Sequence, residues 1–161
     1  MALAVTHIIL TIVAIDLYRD YIAGKKFPTK YVLIGGIAGL LPDIDIPVGW
    51  IYNLLTGSTG SFHGTITHSM VIPIIIAMGA LLAYEVAKKP NMGLLLGVTA
   101  FGWFFHLVLD CVFNPYMIFL PFSALVCPFN ISQEVVVGVD AVILILWLVH
   151  EEWYHKIRDY I

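Results

Sequence analysis

Five apolar stretches, each about 20 residues long, limit what this chain can fold into more than any other feature. An α-helix of that length crosses a hydrocarbon layer about 30 Å thick. Of the 161 residues, 60% are hydrophobic and 12% are charged, and a soluble core of this size cannot bury so much apolar surface. The stretches cover residues 2–22, 30–52, 66–87, 92–113 and 133–153.

The sequence therefore predicts an all-α, polytopic integral membrane protein. It is expected to be a helix bundle of about five membrane segments that forms a single domain, residues 1–161. The second segment should be broken at Pro42 and Pro47, so that only 30–41 forms a regular helix. Irregular backbone at membrane depth must be buried in protein or line a cavity, where its polar groups find partners.

Basic residues indicate the orientation. They lie between the first and second stretches, between the third and fourth, and after the fifth: Lys25, Lys26, Lys30, Lys88, Lys89, Lys156 and Arg158. The positive-inside rule then places the N-terminus outside and the C-terminus in the cytoplasm of a cell-membrane protein. Segment 113–130 is apolar and aromatic, and we expect it to lie on or in the outer interface.

Several functional classes are disfavoured. The net charge is -3 and no basic stripe is present, so nucleic acid is not an expected partner. The two cysteines, Cys111 and Cys127, form no metal motif, and they could pair only if their segment faces an oxidising compartment. No Gly-x-Ser-x-Gly motif is present, which disfavours a serine lipase. The sequence leaves the oligomeric state open.

Histidine and aspartate side chains in the apolar stretches gather at one depth. Ionisable residues are costly inside a bilayer, so each of them is a functional candidate. With a rise of 1.5 Å per residue, eight of them fall within about 10 Å of the outer interface, and every stretch contributes at least one. They are His7, Asp43, Asp45, His63, His68, His106, Asp110 and Asp140. This convergence predicts a single site near the outer face.

The spacing of these residues favours metal ligation. His106 and Asp110 are four residues apart, so both point from one face of a helix. Gly64 allows the backbone to bend between His63 and His68. The paired aspartates follow Pro42, where an irregular turn can aim both carboxylates inward. The candidate metal ligands are His7, Asp43, Asp45, His63, His68, His106 and Asp110. Four of them are expected to coordinate the metal directly: His68, His106, Asp43 and Asp110.

Imidazole and carboxylate together suit a divalent transition metal, with Zn²⁺ expected first and Mn²⁺, Fe or Co as alternatives. The donors exceed what one tetrahedral ion needs, so one or two ions are predicted. Other polar residues have sufficient explanations elsewhere: the cytoplasmic interface for Asp16, His150 and His155, and the helix dipole for Glu134.

Structural interpretations compete with the metal site. A histidine such as His7 in an apolar helix is often a hydrogen-bonded core residue, and His63 could be a solvated loop residue. Asp43 and Asp45 could form a polar helix end at the interface. The i, i+4 pair could be an isolated hydrogen bond.

Three motifs resemble a known family. GLLPDIDIP, then HGTITHS, then HLVLD with LPFS some ten residues later resembles the YdjM-like family of LexA-regulated, membrane-bound, metal-dependent hydrolases. The resemblance covers residues 7 to about 123. It implies that the family's N-terminal histidine, paired aspartates, histidine pair and H-x-x-x-D motif fall on His7, Asp43 and Asp45, His63 and His68, and His106 and Asp110.

The expected function is therefore metal-dependent hydrolysis near the outer bilayer face. A membrane lipid is the expected substrate, most plausibly a phospholipid or another lipid phosphate or acyl ester. The bound metal would generate a nucleophile from water near neutral pH, with Asp45 or Asp140 as general base. Two alternatives remain: a metal-ion or proton transporter or channel, and a non-catalytic, metal-stabilised membrane scaffold. Transporters usually place their sites near the bilayer midplane between structural repeats, and neither feature is seen here.

Overall fold

A computed structural model describes the backbone of residues 4–24, 27–60, 63, 64, 66–113 and 133–154. It describes their side chains as well, except those of residues 113, 133–137, 140 and 154. This part of the chain is helical and contains no strand, which confirms the all-α prediction for it. The helices are α1 (Ala4–Leu17), α2 (Lys30–Ala38), α3 (Asp45–Thr56), α4 (Val71–Leu81), α5 (Pro90–Phe113) and α6 (Gln133–Tyr154). Helices α1 and α4 continue as π-helical turns, Tyr18–Ile22 and Leu82–Val86.

The second apolar stretch is broken, as predicted, but at only one of its two prolines. A 3-10 turn, Leu41–Ile44, contains Pro42 and joins α2 to α3 at a bend of 49°. The predicted break at Pro47 is wrong. Pro47 lies in the first turn of α3, where the backbone N–H groups have no intrahelical acceptor, so a proline costs little there. Helix α3 instead ends where Gly57 adopts a left-handed conformation, with φ 69°.

The predicted number of about five membrane spans is not confirmed. Within the described residues, Pro90–Val112 is long and apolar enough to cross a membrane, and the bent pair of α2 and α3 passes the same test together. Val71–Val86 is apolar but shorter. Helix α4 falls short because, even with its π-helical turn, Val71–Val86 is shorter than the about 20 residues of a full span.

The distribution of side chains is inverted relative to a soluble protein. Polar and ionisable side chains are buried between the helices, including Thr6, His7, Thr11, Asp16, His106 and Asp110. Large apolar side chains point outward, including Leu54 (84% exposed), Leu55 (79%), Ile75 (62%), Leu82 (59%) and Leu146 (64%). An apolar medium around the helices explains both features, because ionisable groups in a bilayer face the bundle interior.

Helix α5 lies at the centre and contacts α1, α2 and α4. Its contact with α2 is close because both helices present glycine. A Cβ atom at Gly102 would collide with the carbonyl oxygen of Gly35 and lie 3.0 Å from the backbone nitrogen of Gly39. Small residues let membrane helices approach in this way. The approach brings the end of α2 against His106, one turn after Gly102 on α5.

Replacing Gly102 with alanine should destabilise the protein by about 1–3 kcal/mol, since the added methyl group meets backbone atoms that cannot move aside. Thermal unfolding in detergent measures the effect. Gly97→Ala on the same helix is the matched control, because a Cβ there has no atom within 4 Å. Equal melting temperatures for the two variants would contradict the close α2–α5 contact.

Candidate metal centre

Four donor atoms from three elements meet at one point: Nε2 of His68, Nε2 of His106, Oδ1 of Asp43 and Oδ2 of Asp110. His106 Nε2 lies 3.4 Å from His68 Nε2, 3.6 Å from Asp43 Oδ1 and 3.3 Å from Asp110 Oδ2. His68 Nε2 lies 3.5 Å from Asp43 Oδ1 and 3.4 Å from Asp110 Oδ2. These five distances lie between 3.3 and 3.6 Å, and donor atoms spaced in this way can occupy the corners of a tetrahedron around one ion.

The size of this tetrahedron fits a transition-metal ion. Ligand bonds of 2.0–2.2 Å at the tetrahedral angle separate the donor atoms by about 3.3–3.6 Å. The centre is also buried, with His106 at 0% and His68 at 2% exposure. Neither Asp43 Oδ1 nor the second carboxylate oxygen of Asp110 has a hydrogen-bond partner, although both atoms are buried. A buried oxygen left in this state is unusual, and a cation between the donors would account for Asp43 Oδ1, whereas Asp110 Oδ1 faces His7 Nε2 at 3.5 Å.

The local sequence explains how the donors converge. His106 and Asp110 lie one turn apart on one face of α5. Asp43 comes from the 3-10 turn around Pro42, and His68 ends a second 3-10 turn, Ile66–His68, before α4. Both turns replace regular helix, so their side chains can point across at α5.

Further contacts fix the orientation of both imidazoles. His106 Nδ1 donates a hydrogen bond to the Gly39 carbonyl oxygen at 2.6 Å, which leaves the lone pair on Nε2 directed at the centre. Nδ1 of His68 lies 3.1 Å from Thr67 Oγ1, and that hydroxyl donates to Asp45 Oδ2 at 2.7 Å. Each ring is therefore held by its outer nitrogen, as is usual for metal-bound histidine.

The remaining predicted ligands flank this centre on two sides. His7 stacks on His106 with ring centroids 3.8 Å apart, and its Nε2 lies 3.5 Å from Asp110 Oδ1. On the other side, His63 Nδ1 lies 3.0 Å from Asp45 Oδ1 and 3.9 Å from Asp43 Oδ1. The structure thus brings together all seven predicted metal ligands, in three overlapping groups that could each hold an ion.

Some predicted features fall outside the described part of the chain. Among them are the side chain of Asp140, residues 114–130 of the segment predicted to be interfacial, and the basic residues of the C-terminal tail. Cys111, the residue after Asp110, is disulfide-bonded, and Cys127, the only other cysteine in the sequence, is not among the described residues.

Sequence patterns do not identify three groups that support the metal ligands: a backbone carbonyl, a hydroxyl and an indole. The Gly39 carbonyl is a backbone group, which no residue pattern marks. Thr67 can be noticed only as a hydroxyl beside His68, and the indole of Trp103 donates to the Thr67 carbonyl from 36 positions away, at 2.9 Å.

A second polar group joins α1 to α6 at the opposite end of the bundle. Asp16 (0% exposed), His150 and Glu151 (1%) could also hold an ion by geometry. Trp147 Nε1 donates to Asp16 Oδ2 at 3.3 Å, and the Arg19 guanidinium lies 3.7 Å from Asp16 Oδ1. Asp16 and Glu151 are buried in a helix contact, whereas His150 is half-buried. Because Arg19 already brings a positive charge there, this group is the weaker candidate for a metal.

The model of the YdjM inner membrane protein family matches residues 1–158 of the chain. The chain belongs to this family. The match confirms the resemblance found in the sequence motifs and agrees with the inverted distribution of polar and apolar side chains. No curated protein and no solved structure matches it. The family description establishes a membrane protein and names no reaction.

Elemental mass spectrometry of the detergent-purified protein should find a transition metal bound by the wild type. The metal should be lost in His68→Ala and in Asp110→Ala, because each substitution removes one corner of the tetrahedron. The matched control is His150→Ala, which removes a histidine from the other polar group and should leave the metal content unchanged.

Circular dichroism would show that the variants retain their helices. Metal that persists in His68→Ala but disappears in His150→Ala would place the ion at the contact between α1 and α6 instead.

Proposed function

We propose that this YdjM-family protein is a membrane-bound, metal-dependent hydrolase that acts on a lipid ester near the outer face of the bilayer. The close approach of two imidazole nitrogens and two carboxylate oxygens, 3.3–3.6 Å apart across five of their contacts, is the observation that carries the proposal. His68, His106, Asp43 and Asp110 would hold the ion, and a donor set of nitrogen and oxygen suits zinc. A metal held there supplies a nucleophile from water and polarises an ester oxygen.

The centre is accessible on the side of Asp43. This side chain is 20% exposed, whereas those of His68, His106 and Asp110 are between 0% and 8% exposed. A cavity of about 240 Å³ adjoins the same side and is lined in part by Asp45 and His63. A substrate can therefore approach the centre past Asp43, on an irregular turn that can adjust its carboxylate.

His63 is well placed to accept a proton at this opening. Its Nδ1 lies 3.0 Å from Asp45 Oδ1, so a donated hydrogen bond there leaves Nε2 as the proton acceptor. Asp45 also accepts hydrogen bonds from Thr67 Oγ1 and from the Gly64 backbone nitrogen at 3.2 Å. Because its oxygens are occupied, Asp45 suits the role of orienting His63 better than that of general base.

The proposed topology has five membrane segments, with the N-terminus and the metal centre on the outer side. Broken and short helices are compatible with this number where neighbouring helices satisfy their backbone groups. The disulfide at Cys111 supports the outer placement, since disulfides persist in oxidising compartments.

A groove in the membrane-facing surface supports a lipid as substrate. It has a volume of about 730 Å³, lies between α1, α4 and α5, and is lined almost entirely by apolar side chains. The α5 residues that line the groove extend from Gly93 to Phe104, which lies two positions before His106 in the sequence. That interval rises about 16 Å, which is close to the ~15 Å occupied by one leaflet of acyl chains. We therefore propose an acyl chain of the substrate as its occupant.

A metal-stabilised scaffold is the second candidate, because the four protein donors could fill every position around a tetrahedral ion and closed sites are typical of structural zinc. The transporter alternative lacks such support from the described residues.

Hydrolysis of phospholipids by zinc-loaded protein in vesicles tests the proposal. His63→Gln should lower the rate by about 10²–10⁴-fold while metal content is retained, as expected when a general base is removed.

Gly97→Leu should slow the cleavage of long-chain but not of short-chain lipids, because a side chain at Gly97 projects from a groove-lining position into open space.

Gly138→Leu is the matched control, since a Cβ at Gly138 also meets open space but lies outside the residues that line the groove. Protein that binds zinc at the tetrahedron yet cleaves no lipid ester would favour the scaffold.

A further inference from the structure

Helix α3 carries a wide apolar surface that is exposed. Val48, Ile51 and Leu55 form a stripe along it at the i, i+3 and i+7 positions, and they are 56%, 59% and 79% exposed. Trp50 and Leu54 beside this stripe are 71% and 84% exposed. Most of the circumference of α3 is therefore apolar and open to its surroundings.

The opposite side of α3 is polar and covered by the chain itself. Asp45 and Gly49 are buried on this side, and Asn53 Nδ2 donates a hydrogen bond to the Gly60 carbonyl oxygen at 2.8 Å. His63 Nδ1 lies 3.0 Å from Asp45 Oδ1, so the chain after α3 folds back along its polar side. Helix α3 is thus amphipathic, with its polar side turned toward the metal centre.

The metal centre lies near one end of the bundle. Helix α5 is long enough to cross a membrane, and His106 and Asp110 lie in its last third. Helix α3 begins two residues after Asp43, at a bend of 49° to α2, and its 12 residues extend about 18 Å. If α3 continued along the bundle axis past the end of α5, its apolar stripe would enter water.

A lipid surface is the medium that fits this helix. The chain belongs to a membrane-protein family, so lipid surrounds the bundle. An amphipathic helix lies in the membrane interface with its apolar face about 5–10 Å deep, and indole side chains such as that of Trp50 prefer this level. Residues 46–60 contain no charged side chain, so apolar insertion would hold the helix there rather than attraction to anionic lipids.

We propose that α3 lies in the plane of the membrane surface nearest the metal centre, with the stripe of Val48, Ile51 and Leu55 inserted into the lipid. On this proposal α2 and the Asp43 turn carry the chain to the centre, and α3 is not the second half of a membrane span. The opening beside Asp43 then lies at the level of the lipid headgroups. The inference depends on the membrane environment and holds whether or not the centre hydrolyses a lipid.

The depth of nitroxide labels in reconstituted vesicles tests the orientation of α3. Labels at Val48→Cys and Leu55→Cys lie seven residues apart on one face, and electron paramagnetic resonance compares their access to oxygen and to an aqueous nickel chelate. A helix in the membrane plane should give both labels the same depth, about 5–10 Å below the phosphates. A helix that crosses the membrane would separate their depths by about 10 Å.

The matched control is the same spacing on α4, one of the proposed membrane segments. Ile74 and Leu81 are 50% and 65% exposed, and labels at Ile74→Cys and Leu81→Cys should differ in depth by about 10 Å. Cys111 is disulfide-bonded, and wild-type protein carried through the same labelling gives the background.

Three results would overturn the proposal: depths that differ by about 10 Å between Val48→Cys and Leu55→Cys, contact of both labels with water, or spin–spin broadening that disappears on dilution with unlabelled protein. The last result would assign the apolar surface to a second copy of the chain.

Fluorescence gives a second measurement on nearly native protein. Lipids brominated near the ester end of the acyl chain should quench the wild type more than Trp50→Phe, because Trp50 lies at that depth. Equal quenching of the two proteins would contradict the interfacial position.

Discussion

The cost of placing carboxylates where water is scarce governs the architecture of this protein. Asp43 and Asp110 both lie within 3.6 Å of His106 Nε2, so two negative charges share one small, largely buried space. Such a pair is strongly destabilising unless a cation lies between them. A divalent ion at this point would balance the two carboxylates, and the two imidazoles would add donors without adding charge. The resulting unit would be electrically neutral, which is the least costly form for an ionic site inside an apolar helix bundle.

The backbone around the site is adapted to hold that unit. Gly102 and Gly35 bring α2 against α5 closely enough for the Gly39 carbonyl oxygen to accept a hydrogen bond from His106 Nδ1. The turn at Pro42 then carries the chain past the end of α2 and directs Asp43 at the same point. Helix packing, the proline break and the orientation of an imidazole ring are thus one connected arrangement rather than three separate features.

Much of this arrangement could be predicted from the sequence because depth in a membrane is a one-dimensional property. Counting residues along each apolar stretch was enough to place His7, Asp43, His68 and Asp110 at a common level. Helical periodicity was enough to put His106 and Asp110 on one face. A convergent site follows from these two facts without any knowledge of how the helices pack.

Other features depend on packing and could not be predicted in this way. Pro47 was expected to break a helix, yet its effect depends on where the preceding turn ends. Asp16 is more than 130 positions away from His150 and Glu151 along the chain, and only the contact between α1 and α6 brings them together. The number of membrane segments is also hard to predict, because the apolar stretch 66–87 begins with a 3-10 turn and its continuous helix covers only Val71–Val86.

X-ray absorption spectroscopy of the zinc-loaded protein tests the central claim most directly, because it reports the ligands of the ion itself. The account predicts about four nitrogen and oxygen neighbours near 2.0–2.1 Å, no sulfur, and outer-shell scattering from two imidazoles. In His68→Ala any zinc that is reloaded should show one imidazole fewer. A shell of oxygen alone, or two imidazoles that persist in His68→Ala, would contradict the assignment of His68, His106, Asp43 and Asp110 as the metal ligands.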